Sequence, residues 1–391
     1  MVKLGISVYP DLQSFDEIRS YIEKAAEYGF SRVFSSMWSV EGTKEEVIAY
    51  FDRFIQTAHK NRMEVNLDVN PDLFERLGAS PEDLSVFNDL GVDILRLDTP
   101  FDPQTNKAVI KNPYDIKIEF NASIVNDEFI DSIKEISDEK AVLACHNFYP
   151  QRYTGMKWQK YLEANRKLKQ GNISIGAFVT SHNRNTIGVW DAKDGLCTVE
   201  KMRDMPLDTQ IRMLMAAGNI DSIIIGNACA SEEELKLAQE AIKDIEPDIN
   251  NPVVAMMLKM GSSMDRFYPQ KKIRVKLSEN ITENEKDILL NFFPHNDVGD
   301  SSEWIWRSRM ARFLKKDIPY RKEEGDFFEP GTVMMVNNNY AHYAGEVQIA
   351  LLPVRNDGIR NKIAYLSKDE MEILKLVKDF EVVVFLEEKR P

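Results

Sequence analysis

The chain has 391 residues, 43% hydrophobic and 29% charged, with a formal net charge of −13; that length exceeds one ordinary hydrophobic core and predicts two domains. An acidic chain without a basic run is a poor partner for nucleic acid or an anionic membrane, although one Arg and a few backbone amides suffice to hold a small phosphate. The N-terminus lacks a signal-type apolar stretch, no apolar run is long enough to span a bilayer, and Cys145, Cys197 and Cys229 form no CxxC pair, so a cytoplasmic protein without disulfides or structural zinc is expected.

Strand-like runs and charged amphipathic segments alternate through the first 240 or so residues. The strands are read at Leu4–Pro10, Arg32–Trp38, Met63–Pro71, Val92–Pro100, Ile116–Ser123, Ala141–Pro150, Ile173–Ser181 and Asp221–Ala228. Helices between them include Ser14–Gly29, Thr43–Arg62 and Asp127–Lys140, with Ser or Thr at several entries and Gly29, Gly91 and Gly218 placed to end helices. Ser231 opens a last barrel helix with a capping-box pattern. Eight such repeats predict the α/β class, as a closed (β/α)8 TIM barrel over residues 1–248. An open doubly wound sheet would want a Gly-rich turn after the first strand, and VYPDLQSF has none.

From residue 249 to 391 the pattern changes to a smaller β-rich domain. KKIRVKLS, GTVMMVNNN, EVQIALLPV and KIAYLS read as strands with Asn- and Gly-rich turns, and Trp304–Lys316 reads as one helix.

In such barrels the reactive groups stand at the C-terminal strand ends. Apolar residues must face the helices, so alternation turns Glu64, Asn66, Asp68 and Asn70 inward, then Arg96 and Asp98, then Lys117, Glu119 and Asn121. Three acids, Asp68, Asp98 and Glu119, thus share one interior. Such a cluster costs desolvation and repulsion, which points to catalysis. The packing alternative is a network neutralised by Arg96 and Lys117, and it suits Glu64 and Lys117 low in the barrel. Two carboxylates flanking a bond are the usual equipment for glycoside hydrolysis. Adjacent strands roughly 4.8 Å apart bring such groups near the separation of a retaining mechanism.

Other strand ends suit sugar binding: Ser7 and Tyr9, Ser35 and Trp38, and His146, Asn147, Phe148 and Tyr149. His146 is equally readable as an oriented structural imidazole. Loops seven and eight offer Arg184, Gly226 and Asn227 to a phosphate. No His-x-His stands at the first strand end and the five His are scattered, so no metal is expected; Lys117 lies too early in its strand for a Schiff base. No cofactor is expected.

Several strings together resemble the MupG-type 6-phospho-N-acetylmuramidases: GISVYP, LDVNP, LRLD, FNAS, HNFYPQRYTG, DGLCTVEKMR, ASEEEL and, near the C-terminus, YAGEVQIALLPV. The resemblance implies a TIM barrel joined to a cyclophilin-like domain in a cytosolic glycosidase of cell-wall recycling, acting on the small-molecule disaccharide MurNAc-6-phosphate–GlcNAc. By position it places Asp68 and Asp98 on the family's strand-three and strand-four acids, Asn121 in its strand-five motif, and His146 and Asn147 in its strand-six motif. Departures occur in AFVTSHNRNTIGVW, at Cys197 and Met202 where Pro and His are usual, and at Val298 where Arg is expected. Those departures keep another phosphorylated disaccharide open, and a non-catalytic phosphosugar-binding protein too, although Asp68 and Asp98 argue against the latter. Arg307, with Arg309 and Arg312, is a further phosphate candidate from a second domain expected to help close the site; the alternative pairs these arginines with Asp300 and Glu303 on a solvated face. No nucleic-acid or membrane partner is expected, and a homo-oligomer remains open.

Overall fold

The computed structural model describes residues 2–36, 42–124, 126–137 and 142–388. The chain divides into two compact units, Met1–Ile242 and Lys243–Pro391.

In the first unit eight parallel strands close into a barrel in sequence order. They are β1 (Lys3–Ser7), β2 (Arg32–Ser36), β3 (Glu64–Val69), β4 (Ile94–Leu97), β5 (Lys117–Asn121), β6 (Val142–Cys145), β7 (Ser174–Val179) and β8 (Ser222–Ile225). All eight predicted strands are present, each somewhat shorter than its apolar run. The residues trimmed from their C-terminal ends, among them Tyr9, Asn70, Asp98 and Asn147, begin the loops at that end of the barrel.

The helices are α1 (Phe15–Glu27), α2 (Lys44–Lys60), α3 (Pro71–Leu77), α4 (Ser85–Leu90), α5 (Pro103–Ile110), α6 (Asp127–Ser137), α7 (Trp158–Gln170), α8 (Leu207–Ala217) and α9 (Glu232–Ile242). Ser14 and Thr43 form capping boxes with Glu17 and Glu46, and Ser231 with Glu234 does the same before α9. Gly29, Gly91 and Gly218 each take a positive φ where a helix ends. None of the described helices is long and apolar enough to cross a membrane.

The second unit is a mixed six-stranded sheet with a two-stranded ribbon. Its elements are α10 (Pro252–Lys259), β9 (Lys271–Leu277), α11 (Glu283–Asn291), β10 (Ile305–Ser308), β11 (Phe327–Phe328), β12 (Thr332–Val336), β13 (Val347–Ala350), β14 (Val354–Arg355), β15 (Arg360–Tyr365), α12 (Lys368–Leu374) and β16 (Val383–Glu387). The sheet order is β10-β13-β12-β15-β9-β16, antiparallel except where β16 runs parallel to β9. The helix expected over Trp304–Lys316 is corrected: its first part is edge strand β10, and only Met310–Leu314 coils, as a short 3-10 turn. Trp306, buried and opposite Ile349, explains the strand, because alternation seats it in the core.

Candidate active site

The barrel interior is split into two chemically different halves. Phe34 of β2 and Phe178 of β7 are not on neighbouring strands, yet their rings lie 5.3 Å apart, so they meet across the interior. With Cys145 and Ile224 they form an apolar cluster against which Phe148 packs. Facing them, β3, β4 and β5 contribute a polar ladder that rises from one end of the barrel to the other.

At its foot Glu64 accepts from Lys117 at 2.6 Å and Lys3 at 2.7 Å. Burial alone would raise this carboxyl, but those two ammonium groups outweigh it and hold Glu64 down at about 2. Above it lies Glu119, 1% exposed, which accepts from Asn66 Nδ2 at 2.8 Å and Arg32 Nη1 at 3.2 Å. The top rung is Arg96. Its Nη1 donates to Asp68 at 2.7 Å and to Asp98 at 3.1 Å, its Nη2 donates to Asn147, and its Nε stands 3.9 Å from Glu119. Burial would depress this guanidinium, yet Asp68, Asp98 and Glu119 more than compensate and keep it above its ordinary value.

Both aspartates therefore hang on one nitrogen. By the triangle inequality their bonded oxygens are at most about 5.8 Å apart, shorter than the separation of roughly 6.5–9.5 Å that an inverting water requires. The Asp68 side chain is 15% exposed and that of Asp98 51%. Both border a cavity of about 270 Å³ whose walls include Tyr9, Phe34, Phe148, Phe178 and Trp190. Carboxylates on one side and aromatic faces on the other are what a sugar ring needs: hydroxyl partners at its rim and apolar contact over its C–H face. Among the described residues no group of three or more His, Cys, Asp or Glu is placed to hold a metal ion.

Of the residues expected at the site, Asp68, Asp98, Tyr9, Asn70 and Asn147 line the cavity. Tyr9 gives its hydroxyl proton to the Gly226 carbonyl, and Asn70 also caps α3. Asn121 stands one step behind, donating to Asp98 at 3.2 Å. Glu119 and Ser7 are buried in the barrel and do not border the cavity.

His146 points away from the cavity. Cys145 faces the interior, so alternation turns His146 outward, where its Nε2 lies 2.7 Å from Asn165 Oδ1 and its ring rests on Tyr161. Burial pulls its pKa down to about 4, which makes it a neutral structural imidazole. The amide of Asn227 is consumed by Ser181 and Thr180, Tyr149 contributes its backbone to a loop contact, and Arg184 is exposed on the loop after β7; none of the three borders the cavity. Arg307 belongs to the second unit, where it grips buried Glu346 instead of Glu303, while Arg309 takes Asp300 at 2.7 Å. Trp38 lies outside the described residues. Sequence reasoning missed Phe34, Phe178 and Trp190. The rule that apolar residues face outward hid the two phenylalanines, and no periodic signal marks a lone Trp in a loop.

Two of the most distinctive strings fold against each other beside this cavity. HNFYPQRYTG follows β6 and DGLCTVEKMR follows β7; Tyr149 pairs with Cys197 and Met156 with Val199. Glu200 accepts from the backbone of Tyr153 at 2.7 Å and of Gly155 at 2.8 Å, while Arg203, 1% exposed, clamps Glu200 and the carbonyls of Asp194 and Gly195. Gly155 is required by this close approach, since a Cβ there would come within 2.5 Å of Glu200 Oε2.

Comparison with known proteins agrees with this arrangement. The family profile described as "6-phospho-N-acetylmuramidase, N-terminal" matches residues 4–240, and its C-terminal counterpart matches 271–385. A crystal structure of an uncharacterized B. cereus protein is 34% identical, covering 99% of this chain and 100% of that one, with a TM-score of 0.81. A conserved Enterococcus faecalis protein of unknown function has the same fold at 24% identity and a TM-score of 0.68, covering 99% and 97%. Among curated proteins none matches. Because the two profiles take in both units, and the strings that carry the resemblance build the barrel's acid pair and the loops beside it, the chain belongs to the 6-phospho-N-acetylmuramidase (MupG) family.

Proposed function

We propose that this protein is a glycoside hydrolase that splits a phosphorylated amino-sugar disaccharide, MurNAc-6-phosphate–GlcNAc, into MurNAc-6-phosphate and GlcNAc. The observation that carries the reading is the pair Asp68 and Asp98, held by one guanidinium at the edge of an aromatic-walled cavity. The family description supplies the substrate class. Within the same reading the protein works in cell-wall recycling in the cytoplasm, and the second unit is a cyclophilin-like module.

One carboxyl protonates the leaving glycosidic oxygen. The other stabilises the positive charge that develops at the anomeric carbon, either by attacking it or by orienting the sugar's own 2-acetamido oxygen to do so. Water then releases the sugar, with the first carboxylate taking back a proton. Arg96 positions both groups: a fork that donates to Asp68, Asp98 and Asn147 fixes their separation better than a single ammonium could. Tyr9, Phe34, Phe148 and Phe178 exclude water from the reacting face.

A second reading, hydrolysis of a different phosphorylated disaccharide, draws support from Trp190. It comes from the stretch after β7 that departs from the family pattern, and it borders the cavity. The deciding experiment incubates purified protein with MurNAc-6-phosphate–GlcNAc and follows both monosaccharides by mass spectrometry. Release of both at catalytic rates supports the first reading. An intact disaccharide after many enzyme equivalents of time overturns it, and cleavage of other phosphorylated disaccharides in parallel then supports the second.

A further inference from the structure

The second unit contains a polar cavity of about 300 Å³ that the chemistry above does not use. Its wall is built around Glu346, which is fully buried, and Gln348, two residues on and therefore on the same side of the strand. Arg307 reaches Glu346 with a two-pronged grip, Nε to Oε1 at 2.9 Å and Nη2 to Oε2 at 2.8 Å. Gln348 Nε2 donates to Glu346 at 2.7 Å, and Arg360 Nε donates to Gln348 Oε1 at 2.7 Å. One buried ladder thus fixes two guanidiniums at a single cavity.

Neither guanidinium is exhausted by it. Arg307 Nη1 comes no nearer to Asp300 than 3.8 Å, and Arg360 spends Nη1 on Asp357, so among the described residues Arg360 Nη2 has no partner. Tyr340 and Tyr343 stand at the same cavity with ring centroids 4.9 Å apart, and Tyr340 is 48% exposed. The charges lining the cavity balance: Arg307 and Arg360 against Glu346 and Asp300. Charge balance disfavours a phosphate dianion, which would want an excess of cations. Fixed donors and an aromatic face suit a neutral ring bearing hydroxyls, and the volume is at the small end of ligand sites.

We propose that this cavity, where Arg307, Arg360, Gln348 and the Tyr340–Tyr343 pair converge, binds a single neutral pyranose. The proposal stands apart from the hydrolase reading, since it would hold for a protein that cleaves nothing.

Ile305 and Ile359 also line the cavity, and their methyl groups are reporters that locate binding. The experiment titrates N-acetylglucosamine into full-length protein labelled at isoleucine methyls, with the two signals assigned by Ile→Val substitution. Saturable shifts of Ile305 and Ile359 at millimolar sugar are expected. Tyr340→Ala and Arg360→Ala should each raise the apparent Kd by roughly 10-fold or more. Tyr340→Ala leaves the buried ladder intact, so it remains informative if Arg360→Ala misfolds. Signals that stay still with sugar, or shift equally in wild type and Tyr340→Ala, overturn the proposal. So does a titration in which inorganic phosphate moves both methyls and the sugar moves neither, because the cavity is then an anion site.

Discussion

Replacing Glu119 by Gln separates structural from catalytic carboxylates in this barrel. Glu119 is 1% exposed and sits between Arg32 and Arg96, each 3% exposed, with Asn66 as a neutral donor. Glutamine keeps the shape and one acceptor but removes the negative charge, leaving two buried guanidiniums with less counter-charge. Breaking a buried pair in this way costs about 3–5 kcal/mol. For a unit of this size that corresponds to a fall in melting temperature of roughly 6–20 °C. Turnover, by contrast, should fall less than about 10-fold once the protein is folded, since Asp68 and Asp98 keep their bonds to Arg96, whereas loss of a true acid–base group costs roughly 100-fold or more. Calorimetric melting and disaccharide turnover, measured well below the variant's transition, test both halves. A variant that melts with wild type but turns over 100-fold more slowly would refute the argument and place Glu119 in the chemistry.

Asp68→Asn and Asp98→Asn should each lower kcat by at least about 100-fold in protein that is still folded; a variant that keeps near wild-type turnover removes that residue from the mechanism. Product released at early times should retain its anomeric configuration by NMR, as expected for two aspartates held on one nitrogen, and inversion would exclude both routes described above. Burial holds His146 and His295 neutral, with pKa values lowered to about 4 from the ordinary value near 6.5. Their contribution is complete above pH 6.5 and is lost as pH falls towards 4, on the order of 3 kcal/mol each, so chemical-denaturation stability should decline through that window and His146→Asn should flatten the decline. Gly155→Ala should destabilise the first unit by about 1–3 kcal/mol, because the added methyl meets the Glu200 backbone as well as its carboxylate; an unchanged melting temperature would mean the two loops are not held as described.

The barrel was legible because its grammar is local. Apolar runs of strand length alternate with 3.6-period helices, and the capping boxes at Ser14, Thr43 and Ser231 punctuate them. The second unit was less so. Strand β16 begins within the continuous apolar run Val382–Phe385, buried without alternation, and such a run has no period to read. The segment read as a helix opens as strand β10, and the contact that settles it, Trp306 beside Ile349, is 43 residues away in sequence.

The candidate site was readable where side chains alternate by chemistry and opaque where they do not. In β3, β4 and β5 polar and apolar residues take turns, so the inward set Asn66, Asp68, Arg96 and Glu119 could be named, and the structure joins those residues into one network. Beyond the last strand residue the period-2 rule lapses unless a neighbour fixes the phase. His146 follows β6 directly, and only the inward position of Cys145 reveals that it points away. In β7 both faces are apolar, so Phe178 gives no hint of its side until its ring is found against Phe34. The difference between Asp98 and Glu119 was hidden for another reason. Both are inward acids near Arg96, yet one is half-exposed at the mouth and the other sealed below it. Height along the barrel axis decides that, and although position within a strand ranks its own residues, comparing two strands depends on the stagger of all eight.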